Sequence, residues 1–164
     1  MNTIVRLDRI FDNVQVCSGR KEEALRIISY LCARSDVGDA FRLAAAFRRR
    51  EALYSTGFGG GIAIPHARIP GLREPVFALV RFARPVEWDA IDGKPVDLAV
   101  VAVTPGETER DVHLPVLAML ARKLMDETFV RRLRACTDKA QFYEYLSGEL
   151  NGYGNLPVHG DRRR

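Results

Sequence analysis

At 164 residues, 47% of them hydrophobic and 28% charged, the chain fits one globular domain with a buried core and excludes an extended disordered protein. No stretch approaches the roughly 18 apolar residues of a membrane helix, and MNTIVRLDRIF at the start lacks the unbroken apolar segment of a secretory leader, so a cytoplasmic protein without membrane insertion is expected. The formal charge of +4 owes part of its excess to DRRR at 161–164, and such a balance gives no reason to expect nucleic acid as a partner.

In chain order, KEEALRIISYLCAR at 21–34 places Ala24, Ile27, Ile28 and Leu31 at helical spacing, with acids early and Arg34 late as the helix dipole favours. A second helix follows SDVGD, where Ser35, Asp36 or Asp39 can cap it; Phe41, Ala44, Ala45 and Phe47 form its apolar side, and it runs out near Leu53. GIAI at 61–64 reads as a short buried strand stopped by Pro65. PVFALVRF at 75–82 and PVDLAVVAV at 95–103 are Val-rich and bounded by proline, the pattern of two strands in a buried sheet, and Asp92-Gly93 marks a turn between them. Helical period returns over 112–125 through Leu117, Leu120 and Leu124, and ETFVRRLRAC and DKAQFYEYLSG give two further helices. The predicted order is helix, helix, three strands, three helices. From residue 149, ELNGYGNLPVHGDRRR has no period and many breakers, so a domain over 1–148 and a flexible tail over 149–164 are expected. Cys17, Cys32 and Cys136 are odd in number and lack CxxC spacing, which argues against a disulfide framework or zinc ribbon and for buried free thiols.

The stretch with most chemistry in it is STGFGGGIAIPHAR at 55–68. Its glycines invite comparison with a phosphate loop, yet no GK[ST] follows and the segment leads into a strand, so P-loop mechanics are missing. His66 comes directly after Pro65, at a strand end where side chains reach an open cleft. Imidazole suits nucleophilic capture of a phosphoryl group, because one nitrogen attacks while the other is oriented by a hydrogen bond. The plainer alternative is a half-buried histidine closing a turn. Pro115 fits only the first turn of a helix, so that helix starts near Val112 to Leu114 and His113 lies at its N-terminus, where free amides favour an anion. By itself, His113 reads rather as a polar first-turn residue. Two imidazoles without a third ligand at HxxxH or CxxC spacing give no metal site. Arg50, in RRRE at 48–51, stands a few residues before Ser55-Thr56-Gly57. Such a run is commonly a solvated helix face, but a guanidinium there can pair with a phosphoryl oxygen.

RE followed by LYSTGFGGGIAIPHAR, then WDAIDGKPVDL with Trp88 where Phe is usual, then HLPVLAMLARKL, occur in an order and spacing that resemble one family. It comprises the enzyme IIA domains of the fructose/mannitol class of the bacterial phosphoenolpyruvate-dependent phosphotransferase system, and the resemblance covers about residues 4–147. It implies an α/β fold, a single compact domain with a central mixed β-sheet flanked by helices on both sides, and a phosphocarrier mechanism needing neither cofactor nor metal. It matches His66 to the phosphorylated histidine, His113 to the second active-site histidine, and Arg50 to the arginine near the phosphoryl group. Ser55, Thr56 and Gly57 match the segment that shapes the pocket. KEEALRIISYL, IAIPHARI and RRLRAC are most similar to the stand-alone nitrogen-regulatory type, and no fused sugar-binding membrane domain is seen, as that type implies. The implied partners are an HPr-like phosphohistidine protein as donor and regulated proteins, such as transporters or sensor kinases, as targets. Two alternatives stand beside this: a sugar-specific IIA component passing the group to a IIB protein, and a non-catalytic regulatory binding module. Pro115, where the family is similar but without proline, is the departure nearest the site.

Overall fold

Two Val-rich strands at the centre of the molecule have both faces covered. In the computed structural model, which describes residues 4–106 and 112–150, they are β5 (Val76–Val86) and β6 (Val96–Pro105), paired antiparallel. Successive side chains of a strand point to opposite faces, and here both sets are apolar. Ala78, Val80 and Phe82 with Ala99, Val101 and Val103 enter one core; Phe77 and Leu79 with Leu98, Val100 and Ala102 enter the other. The first core is closed by α1 (Lys21–Arg34) and α2 (Ala40–Leu53), the second by α3 (His113–Met125), α4 (Glu127–Ala135) and α5 (Lys139–Leu150). Helices therefore flank a mixed sheet on both sides, as expected.

The remaining strands are β1 (Ile10–Val14), β2 (Gly57–Gly59), β3 (Ile62–Ala63) and β4 (His66–Ile69), and the six form one sheet in the order β1-β5-β6-β3-β2, with β4 also on β6. β3 and β4 follow one another along the same side of β6, both parallel to it: Ile62 lies opposite Leu98 and His66 opposite Ala102. Pro65 interrupts this edge without ending it, and its carbonyl still accepts from the Ala102 amide at 3.0 Å.

Several expectations change. Three strands become six, preceded by a short 3-10 turn at Leu7–Arg9. The strand expected over 75–82 continues to Val86, with a register shift after Arg81 that accommodates Pro85. Of the three candidate caps for α2, Asp39 accepts from the Arg42 amide at 2.9 Å. The last helix passes Gly148 and ends at Leu150, whose side chain is buried, so 149 and 150 belong to the fold rather than to a tail; 151–164 lie outside the described residues. Cys32 and Cys136 are buried free thiols, but Cys17 is exposed. Burial pushes the Cys32 thiol up to about 12. No helix among the described residues is long and apolar enough to cross a membrane.

Candidate active site

Three elements bring the expected residues together. The last turn of α2 carries Arg50, the first residue of β4 is His66, and the first residue of α3 is His113. The rings of His66 and His113 stand 5.6 Å apart, centroid to centroid. Pro115 causes no displacement. It occupies the first turn of α3, where no amide is needed, and the first intrahelical bond there runs from Val116 to the Val112 carbonyl at 3.0 Å.

The hydrogen bonds of His66 fix its tautomer. Nδ1 lies 2.8 Å from the Ile64 carbonyl oxygen, which only accepts, so Nδ1 carries the proton. Nε2 accepts from Arg50 Nε at 2.8 Å and therefore presents a lone pair. Burial first, and the positive charge of Arg50 after it, pull the pKa of His66 below the ordinary histidine value, outweighing the Ile64 hydrogen bond, which acts in the opposite direction. The result is a neutral imidazole with Nε2 available as nucleophile. Arg50 is itself steadied by donating from Nη1 to the Tyr54 carbonyl at 2.7 Å.

His113 is held from behind. Its Nδ1 is 2.6 Å from Oγ1 of Thr104, a fully buried β6 residue whose hydroxyl also reaches the Ala67 carbonyl at 3.5 Å. If that hydroxyl donates to Ala67, it accepts from the Nδ1 proton of His113, leaving Nε2 as the other functional nitrogen.

Ser55, Thr56 and Gly57 lie beside this group, but their polar atoms turn into the scaffold. Thr56 offers its amide and its hydroxyl to the buried carboxylate of Glu51, with the hydroxyl at 2.5 Å, and accepts from Trp88 Nε1 at 3.1 Å. Ser55 Oγ donates to the Trp88 carbonyl at 3.0 Å and accepts from the Gly57 amide at 3.1 Å. Lys21 closes the cluster on Glu51, Asp89 and the Trp88 carbonyl. The Thr56 carbonyl then receives the Ile64 amide at 2.9 Å, and the Ile64 carbonyl holds His66. A continuous chain of contacts thus runs from Glu51 through Thr56 and Ile64 to the imidazole. Gly57 is required by packing, since a Cβ there would sit 2.6 Å from Ala90 Cβ and 2.7 Å from its Cα.

Sequence reasoning missed Glu51 and Thr104 as positioning residues. Glu51 stood in the quoted RE pair without a role, and nothing near Thr104 in the sequence signals that β6 delivers it under His113.

Arg50→Ala has two opposing consequences. It removes the guanidinium that covers Nε2 in the resting site, and it removes the cation that the family resemblance places beside a phosphoryl group. Two charge-assisted bonds to a phosphoryl group outweigh one to a neutral nitrogen, so a net loss of about 1.5–3 kcal/mol of stabilisation is expected. Rapid-quench phosphorylation should slow about ten- to a hundredfold, with the circular-dichroism spectrum unchanged.

Comparison with known proteins bears on what such a site does. Residues 4–149 match the family described as "Phosphoenolpyruvate-dependent sugar phosphotransferase system, EIIA 2". A nitrogen regulatory protein of Pseudomonas aeruginosa is 37% identical over 155 residues, spanning 91% of this chain and 99% of its own. The nitrogen regulatory protein of Escherichia coli is 36% identical over 128 residues, spanning 77% and 78%. Among solved structures, nitrogen regulatory protein IIA-Ntr from Neisseria meningitidis superposes with a TM-score of 0.75 at 31% identity, covering 87% of this chain and 96% of that one. IIA mannitol from Escherichia coli, at 22% identity and a TM-score of 0.67 over 87% and 98% of the two chains, shares the fold.

Proposed function

Because this chain belongs to the EIIA 2 family of the phosphoenolpyruvate-dependent sugar phosphotransferase system, we propose that it is a phosphocarrier of a nitrogen-related branch. In this reading His66 receives a phosphoryl group from an HPr-like phosphohistidine protein, and the charge of the site selects regulatory partners. The observation that carries it is the unprotonated Nε2 of His66, oriented through Nδ1 and facing both Arg50 and a second imidazole.

The transfer balances simply. Nε2 attacks phosphorus, a new N–P bond forms as the donor's N–P bond breaks, and that electron pair returns to the donor imidazole. No proton has to leave His66, since Nδ1 keeps its own throughout. Arg50 moves from Nε2 onto the phosphoryl oxygens, and His113 at the α3 N-terminus contributes a hydrogen bond and the helix's partial positive charge. Leu53, Tyr54 and Leu114 flank Arg50 and His113 in the chain and are exposed, an apolar rim suited to a protein partner. A bound phosphoryl group adds about two negative charges, enough to build or break such an interface.

The relatives covering most of the chain at more than 35% identity carry nitrogen-regulatory names, which favours the regulatory branch over sugar uptake. A handover assay separates them. The phosphorylated chain is expected to keep its group when mixed with a fructose- or mannitol-type IIB protein and to return it to the HPr-like donor. Rapid transfer to IIB would place the chain in sugar uptake instead. Failure to accept the group at all would leave only a binding module.

A further inference from the structure

A second cleft, of about 1210 Å³, opens between the 3-10 turn at Leu7–Arg9, the loop after β4 and the start of α5. Arg6, Arg9, Leu72, Arg73, Lys139 and Tyr143 are among its walls, and no residue of the histidine site is. Its acids are Asp8, Asp36 and Glu74. Asp8 is already engaged, because Arg6 donates to both of its oxygens, at 2.9 and 2.5 Å. Arg9, Arg73 and Lys139 make no ion pair among the described residues.

Arg9 carries the inference. Its side chain is partly buried, and Nε is sealed from solvent with no hydrogen-bond partner. Buried N–H groups are almost always satisfied; because this one is closed to solvent, a ligand in the cleft meets the guanidinium through its terminal nitrogens, not through Nε. Burial, followed by the like charge of Arg6, works against a cation at this position, and the nearby carboxylates of Asp8 and Asp36 offset that only in part.

We propose that this cleft binds a small metabolite through an oxyanion, phosphate or carboxylate, which accepts from Arg9 and is flanked by Arg73 and Lys139. Guanidinium groups match the paired oxygens of either anion. The cleft is larger than a bare anion needs, and Leu72 and Tyr143 offer a partly apolar wall for the rest of the molecule.

Side-chain Nε–H resonances of the arginines in the full chain test this directly. Inorganic phosphate is titrated in one arm and citrate in the other, with ionic strength held constant by sodium chloride. The Arg9 signal should shift saturably in at least one arm, and the arm that responds identifies the anion class. Arg73→Ala, at an exposed position, should weaken the response roughly three- to tenfold without moving the thermal midpoint. An Arg9 signal that stays still in both arms, that follows sodium chloride equally, or that titrates identically in Arg73→Ala would overturn the proposal.

Discussion

His66→Ala is expected to take up no phosphoryl group from phosphoenolpyruvate, enzyme I and an HPr-like donor, whereas the unaltered chain takes up one that is acid-labile and base-stable. Intact mass measures both. The effect is all-or-none because, in the proposed transfer, Nε2 is the atom on which the new bond forms, while His113, with Nδ1 engaged by buried Thr104, assists rather than replaces it. His66→Gln, which keeps a side-chain donor near the Ile64 carbonyl, should be equally inactive and closer to native stability, separating chemistry from packing. pH gives a second reading. The folded-state pKa of His66 lies below the ordinary value of 6.5, so uptake should hold as pH falls past that value and decline only at the lower, folded-state one. Across the same window the unfolded chain binds the additional proton, so this residue makes stability fall as pH drops.

Glu51→Ala is expected to give the largest loss of stability at the site. The carboxylate is buried and accepts from the amide and the hydroxyl of Thr56, with Lys21 Nζ at 3.5 Å. Removing it leaves the Thr56 amide and hydroxyl to find new partners in a buried environment, and Lys21 keeps only Asp89 and the Trp88 carbonyl. Stranded buried donors and a broken buried charge pair together cost about 3 kcal/mol, equivalent to a fall in the thermal midpoint of roughly 6–12 °C for a chain of this size. Because Thr56 supports Ile64 and Ile64 holds His66, phosphorylation of the folded fraction should also slow. An unchanged midpoint would mean that the Glu51 cluster contributes nothing net.

The division between what the sequence disclosed and what it hid follows from the range of the forces involved. His66 and His113 were legible because proline constrains the backbone locally: Pro65 set one at a strand boundary, as the buried start of β4 rather than the end of the preceding strand, and Pro115 placed the other at a helix start. Their approach to 5.6 Å comes from parallel pairing of β4 with β6, which no local pattern encodes. β4 was hidden because Pro65 reads as a terminator, although β6 accepts the strand again one residue later. β1 was hidden by Asp12 and Asn13. The charge of Asp12 is neutralised only by distant Arg81, with both nitrogen–oxygen contacts at 2.6 Å, and Asn13 adopts φ 53 at the bulge. Gly148 weakens a helix by roughly 1 kcal/mol relative to alanine, but burial of Leu146 and Leu150 on the second core carries α5 through it. Glu51 looked like one more charge on a solvated face until Thr56 folded back over it.

The fold prepares one nitrogen of one histidine, Nε2 of His66. Long-range proton–nitrogen NMR of the imidazoles, before and after phosphorylation by the HPr-like donor, tests it directly. The resting spectrum should contain His66 as the Nδ1-protonated tautomer; the phosphorylated spectrum should place the phosphoryl group on Nε2, with Nδ1 still protonated and hydrogen-bonded to the Ile64 carbonyl. A phosphoryl group on Nδ1 of His66, or on His113, would contradict the account.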